Sequence, residues 1–113
     1  MTFDPNQSIP QAEVDDIVDQ AIAANDVVLF MKGTPLMPQC GYSDRALTLL
    51  KQHRSEFETI DVLQSLDEFR VALERHSSWT TTPQAYVDGE FVGGSDVLME
   101  LQERGELAST LQA

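Results

Sequence analysis

Val27-Val28-Leu29-Phe30-Met31 is the longest unbroken apolar run in the chain. It is strand-sized and rich in β-formers, and it does not alternate with polar residues. A strand of this kind is buried on both faces, which requires a sheet with a layer packed on each side. That single segment points to an α/β fold.

The flanking sequence supplies the layers. Val14, Ile17, Val18, Ala21 and Ile22 recur at spacings of three and four, predicting an amphipathic helix that ends near Asn25. Ser8-Ile9-Pro10-Gln11 reads as its capping box. Lys32-Gly33-Thr34-Pro35 breaks the strand, and a loop runs to Cys40. Ala46, Leu47, Leu49 and Leu50 mark a helix over about 41–53. Residues 57–62 alternate as a second strand, with Phe57, Thr59 and Asp61 on one face. Ser65-Leu66-Asp67-Glu68 reads as another capping box, opening a helix that turns Leu66, Phe69, Ala72 and Leu73 inward. Gln84 to Val87 and Glu90 to Val92 flank the two-residue turn Asp88-Gly89, a strong hairpin signal. Gly93-Gly94 closes the hairpin. Ser95 or Asp96 caps a helix carrying Val97, Leu98 and Leu101, and Gly105 interrupts it before a last turn at 106–111. The expected architecture is a mixed four-stranded sheet flanked by helices on both faces. Residues 1–10 form an N-terminal tail and 11–113 one domain.

Charge narrows the function. Nineteen acidic residues face seven basic ones, a net charge of -12. Phosphate-backbone binding needs clustered Lys and Arg, so nucleic acid is not an expected partner. The acidity fits a solvated shell, and equally a salt-loving source. No apolar run approaches the ~20 residues of a membrane span, so no membrane partner is expected. The opening residues include Asp4 and no basic residue, which argues against a targeting segment. A lone cysteine forms no internal disulfide, and the expected location is cytoplasmic.

Cys40 stands where the loop after the first strand turns into a helix. Unpaired N–H groups and the helix dipole there favour a thiolate, and Lys32 lies across the loop. An inert packed thiol is the competing reading, since free cysteine often serves only packing. A two-thiol redox site carries its second cysteine three positions on. Ser43 occupies that position. A thiol attached to Cys40 must then be removed by an external thiol.

The run VLFMKGTPLMPQC over residues 28–40, followed by Gly41-Tyr42-Ser43, resembles the monothiol glutaredoxins. Their signature is a strand, then Lys-Gly-Thr-Pro, a short Pro-containing insert and Cys-Gly-Phe-Ser. The resemblance extends through Trp79, Thr82-Pro83-Gln84, residues 87–94, Asp96 and Gly105-Glu106-Leu107. It implies a thioredoxin-like fold. It also implies a glutathione-ligated 2Fe-2S cluster, shared with a second copy in a homodimer or with a BolA-family protein, and handed to apo iron–sulfur clients. The same residues would serve glutathione-dependent thiol–disulfide exchange, the alternative function.

Residue by residue, Cys40 resembles the nucleophile and iron ligand. Lys32 and Arg70 resemble contacts to the glycine carboxylate of glutathione. Thr82 precedes Pro83, which resembles the family's cis-proline, and exposes its backbone to the ligand's cysteine portion. Gly94, Ser95 and Asp96 resemble the loop and helix start that hold the γ-glutamyl end. Without the resemblance, Lys32 and Arg70 read as solvated charges, Gly93-Gly94 as a turn, and Pro83 as trans. Trp79 reads equally as packing or as site rim, and Met31, Met37 and Met99 as core or loop filler. Four departures stand out. Tyr42 replaces the usual Phe, Thr80 a common Pro, Thr82 a bulkier apolar residue, and Ser95 a frequent second Cys. A related thiol such as γ-glutamylcysteine, which lacks the glycine carboxylate, would leave Lys32 and Arg70 without their target.

Overall fold

The computed structural model describes residues 8–112. Helices α1 (Gln11–Ala24), α2 (Gly41–Lys51), α3 (Leu66–Ser77), α4 (Ser95–Glu103) and α5 (Leu107–Leu111) surround one sheet of β1 (Val27–Met31), β2 (Glu58–Asp61), β3 (Gln84–Val87) and β4 (Glu90–Gly93). The strand order is β2-β1-β3-β4. β1 runs parallel to β2 and antiparallel to β3, and the β3–β4 hairpin completes a mixed sheet. This is the thioredoxin-like arrangement that the resemblance implies.

β1 is central, and all five of its residues are buried. Alternation sends its side chains to two cores. Val27, Leu29 and Met31 pack with Ala46, Leu47 and Leu50 of α2, Leu98 of α4 and Leu107 and Leu111 of α5. Val28 and Phe30 face Val14, Val18 and Ile22 of α1 and Phe69 and Leu73 of α3. The unbroken apolar run is therefore the seam between two helical layers. The same parity holds at β2, where Phe57, just before the strand, packs on the first core and Ile60, within it, on the second.

Neither expected capping box forms. The residue preceding α1 is Pro10, whose carbonyl accepts from the N–H groups of Glu13 and Val14, both at 3.0 Å. Ser8 Oγ instead donates to Glu68 Oε1 at 2.8 Å, and Ser65 Oγ accepts from the Ile9 N–H at 2.7 Å. Gln11 Nε2 adds a bond to the Glu68 carbonyl at 2.9 Å. Both boxes have the right residues, but α1 and α3 start side by side, and each start takes its partners from the other. Residues 8–10, assigned to the tail from sequence, are thus tied to α3, and residues 1–7 lie outside the described residues. The helix start expected at Ser95 or Asp96 is preceded instead by Gly94, with no side-chain cap.

Among the described residues, no helix is long and apolar enough to cross a membrane.

Candidate functional site

β1 ends at Met31, and the chain must then reverse to place Cys40 at the head of α2. Three fastenings hold that turn. The Gly33 N–H donates to Asp61 Oδ1 at 3.0 Å, fixing the loop to the end of β2. The Gln39 N–H donates to the Lys32 carbonyl at 2.9 Å, bringing the two ends of the loop together. Between them Thr34 and Met37 exchange main-chain bonds at 3.2 and 3.0 Å. Gly33 takes φ +94°, and a Cβ there would lie 2.5 Å from the Met37 carbonyl oxygen. Only glycine fits. The turn displays Leu36 and Met37, 94% and 67% exposed, so Met37 is not filler in a core. Met31 is fully buried and Met99 partly so.

Cys40 precedes the first residue of α2 in extended geometry, φ -149° and ψ 134°. Its sulfur closes no formed capping bond. The main-chain N–H of Ser43 is nonetheless the main cause holding the thiol below its ordinary range. Partial burial opposes it, while the Tyr42 N–H, the Lys32 ammonium and the Ser43 hydroxyl assist. Orphan N–H groups aimed at sulfur favour a thiolate even without ideal bond geometry. Ser43 is fully buried, and its Oγ accepts from the Lys32 N–H at 3.0 Å. These features favour the activated reading of Cys40 over an inert packed thiol.

Beside the thiol runs a groove of about 390 Å³. Tyr42 and Trp79 border it. Thr81, Thr82 and Pro83 form one wall, and Gly94, Ser95, Asp96 and Val97 form another. The walls approach closely, since a Cβ on Gly94 would sit 3.0 Å from the Pro83 carbonyl oxygen. The Thr82–Pro83 peptide is cis. Two buried hydroxyls of the lining, Thr82 Oγ1 and Ser95 Oγ, have no hydrogen-bond partner among the described residues. Buried polar groups are seldom left so.

Of the residues singled out from sequence, Thr82, Pro83, Gly94, Ser95 and Asp96 line this one groove. Cys40 and Lys32 are not on its lining, but Cys40 is two residues from Tyr42, which is. Arg70 is also off the lining and pairs with Asp67 at 3.7 Å on its own helix. Trp79 is 60% exposed at the rim. His53 bonds Gln102 and His76 bonds Asp19, each at 2.7 Å. Sequence reading missed Asp61, which accepts from both Gly33 and Leu63 at 3.0 Å. A carboxylate closing a strand opposite a glycine was its only signal.

A single activated thiol at a helix start, beside a cis-proline groove on this sheet, defines a one-cysteine thiol protein of the thioredoxin-like class. The glutaredoxin family model matches residues 27–92. The monothiol glutaredoxin ycf64-like protein of Synechocystis is 50% identical over 95 residues, covering 84% of this chain and 88% of that protein. Reduced poplar apo GrxS14 superposes with a TM-score of 0.75 at 39% identity, covering 88% of this chain and 90% of that one. The buckwheat glutaredoxin–glutathione complex gives a TM-score of 0.76 at 27% identity, covering 90% of each chain. The chain belongs to the monothiol glutaredoxins.

Proposed function

We propose that the protein holds glutathione in this groove and, through Cys40, binds a 2Fe-2S cluster as cargo for iron–sulfur clients. The observation that carries the reading is one activated thiol beside a groove whose buried Thr82 and Ser95 hydroxyls lack partners among the described residues. A polar ligand would supply those partners, and the similar buckwheat glutaredoxin was solved with glutathione. In this reading Thr82 and Pro83 meet the ligand's cysteine portion, Gly94, Ser95 and Asp96 meet its γ-glutamyl end, and Lys32 meets its glycine carboxylate.

A 2Fe-2S cluster takes four ligands, usually thiolates. Among the described residues, no group of three or more His, Cys, Asp or Glu is placed to hold a metal ion. One chain thus offers one thiolate, and the donor set is completed by a second copy and two glutathione thiolates. A BolA-family protein is the proposed substitute for the second copy. A cluster half-held by exchangeable ligands suits delivery.

The lowered thiol pKa also favours a second reading, glutathione-dependent reduction of mixed disulfides. There the Cys40 thiolate attacks the glutathione sulfur of a glutathionylated protein and releases the protein thiolate. A second glutathione thiolate then attacks the new disulfide, freeing Cys40 and yielding glutathione disulfide. Ser43 cannot perform that second step.

Anaerobic reconstitution with iron, sulfide and glutathione tests the two, run beside a turnover assay on a glutathione mixed disulfide. The carrier reading expects a coloured, glutathione-dependent dimer that is lost in Cys40→Ser. A full cluster in that variant, or brisk turnover with no cluster in the wild type, overturns it.

A further inference from the structure

Gln84 and Tyr86 stand two residues apart on β3 and point to the same side of the sheet. Both are 1% exposed. Gln84 Nε2 donates to two main-chain carbonyls, that of Trp79 at 3.0 Å and that of Thr81 at 2.9 Å. Turning the amide over would aim its oxygen at two carbonyl oxygens, so its orientation is fixed by chemistry. Gln84 Oε1 then faces the Tyr86 hydroxyl at 2.7 Å. A carboxamide oxygen only accepts, so the phenol must donate.

The segment held by this pair is the groove wall. α3 stops at Ser77, and Ser78 turns the chain with φ 64°. Among the described residues, no main-chain to main-chain hydrogen bond outside the helices and strands involves residues 79–82. Side chains hold them instead: Ser77 Oγ accepts from the Trp79 N–H at 3.0 Å, and Gln84 ties the two carbonyls. Trp79, Thr81 and Thr82 all line the groove. The Tyr86 ring is locked by edge packing on Phe30 at 5.6 Å and by Phe91 at 5.4 Å.

We infer that Tyr86 and Gln84 are positioning residues for ligand binding: the buried phenol orients the carboxamide, and the carboxamide sets the wall formed by residues 79–82. The inference rests on the groove being the glutathione site proposed above.

Trp79 is the single tryptophan, so its fluorescence anisotropy reports on this wall alone. Tyr86→Phe keeps the ring packing and removes only the donor. Gln84→Glu keeps the shape and sets a carboxylate against two carbonyls. Tyr86→Phe is expected to bind glutathione about three- to tenfold more weakly, with lower Trp79 anisotropy and an unchanged pH profile of Cys40 alkylation. Gln84→Glu moves affinity and anisotropy further the same way, and Gln84→Met carries the same readouts if the glutamate variant misfolds. Leu107→Val, in the opposite core, lowers the urea midpoint while leaving both readouts unmoved. Wild-type affinity and anisotropy in Tyr86→Phe overturn the inference, as does weaker binding with anisotropy unchanged. If the wild type binds no glutathione, the reading of the groove fails, and the anisotropy arms alone decide whether the pair sets the wall.

Discussion

The Lys32 main-chain N–H, just past the end of β1, donates to the buried hydroxyl of Ser43 in the first turn of α2 at 3.0 Å. With that lone pair occupied from the strand side, the hydroxyl proton is free to turn toward Cys40. One side chain thus fixes the distance between the strand end and the helix start and also favours the thiolate. Ser43→Ala should raise the pKa of Cys40 and leave the Lys32 N–H without its partner, costing about 1–3 kcal/mol. The pH dependence of iodoacetamide alkylation and urea unfolding check the two effects. A profile that does not move upward would show that the hydroxyl contributes nothing to the thiolate.

Gly33→Ala should destabilise the protein by about 1–3 kcal/mol, from the left-handed backbone alone. The new Cβ would also meet the Met37 oxygen at 2.5 Å and the Gln39 nitrogen at 2.7 Å, both main-chain atoms that cannot swing aside. Since this turn places Cys40, alkylation at neutral pH should slow as well. A variant matching wild type in both measurements would mean that the turn has another conformation.

Lys32→Gln should weaken glutathione binding about tenfold, the loss of one charge-assisted contact. Arg70→Gln should weaken it by about twofold or less, because Arg70 is engaged with Asp67 and its exposed charge is screened. Calorimetric titration of the two variants ranks the residues. The reverse order would place the glycine carboxylate nearer α3 than Lys32.

Asp19 ties α1 to α3, accepting from His76 at 2.7 Å and facing Arg75 at 3.5 Å. The His76 hydrogen bond is the main cause holding its carboxyl below the usual range; desolvation opposes it, and Arg75 assists. A carboxylate with a lowered folded pKa stabilises fully above its unfolded value of about 3.9. That contribution disappears as pH falls through the folded value. The pair is largely exposed, so Asp19→Asn should cost only about 0.5–1 kcal/mol at neutral pH. The difference between the two proteins should close below pH ~4. Urea midpoints measured across that range follow the sign, and a gap that widens in acid would contradict it.

Local patterns in the sequence were sufficient for every strand and α-helix, because each is announced by its own periodicity and breakers, though not for the single 3-10 turn at Leu63–Ser65. The run at 27–31 required two layers, Asp88-Gly89 required a hairpin, and Ser43 denied Cys40 a thiol partner within the chain. The groove residues were legible only through family resemblance, since residues 82–83 and 94–96 are separated by a whole hairpin. What only the tertiary structure decided concerns polar groups with more than one available partner. Ser8 and Ser65 have local capping bonds open to them, yet the neighbouring helix start takes both. Asp61 and Gln84 look like ordinary strand residues until β2 and β3 bring them against the 32–39 turn and the 79–82 segment, where they pair with the Gly33 N–H and with the Trp79 and Thr81 carbonyls. Hydrophobic burial follows residue type and period, so sequence reveals it. A hydrogen bond depends on which donor the fold brings within 3 Å of which acceptor, and that is settled only when the chain is packed.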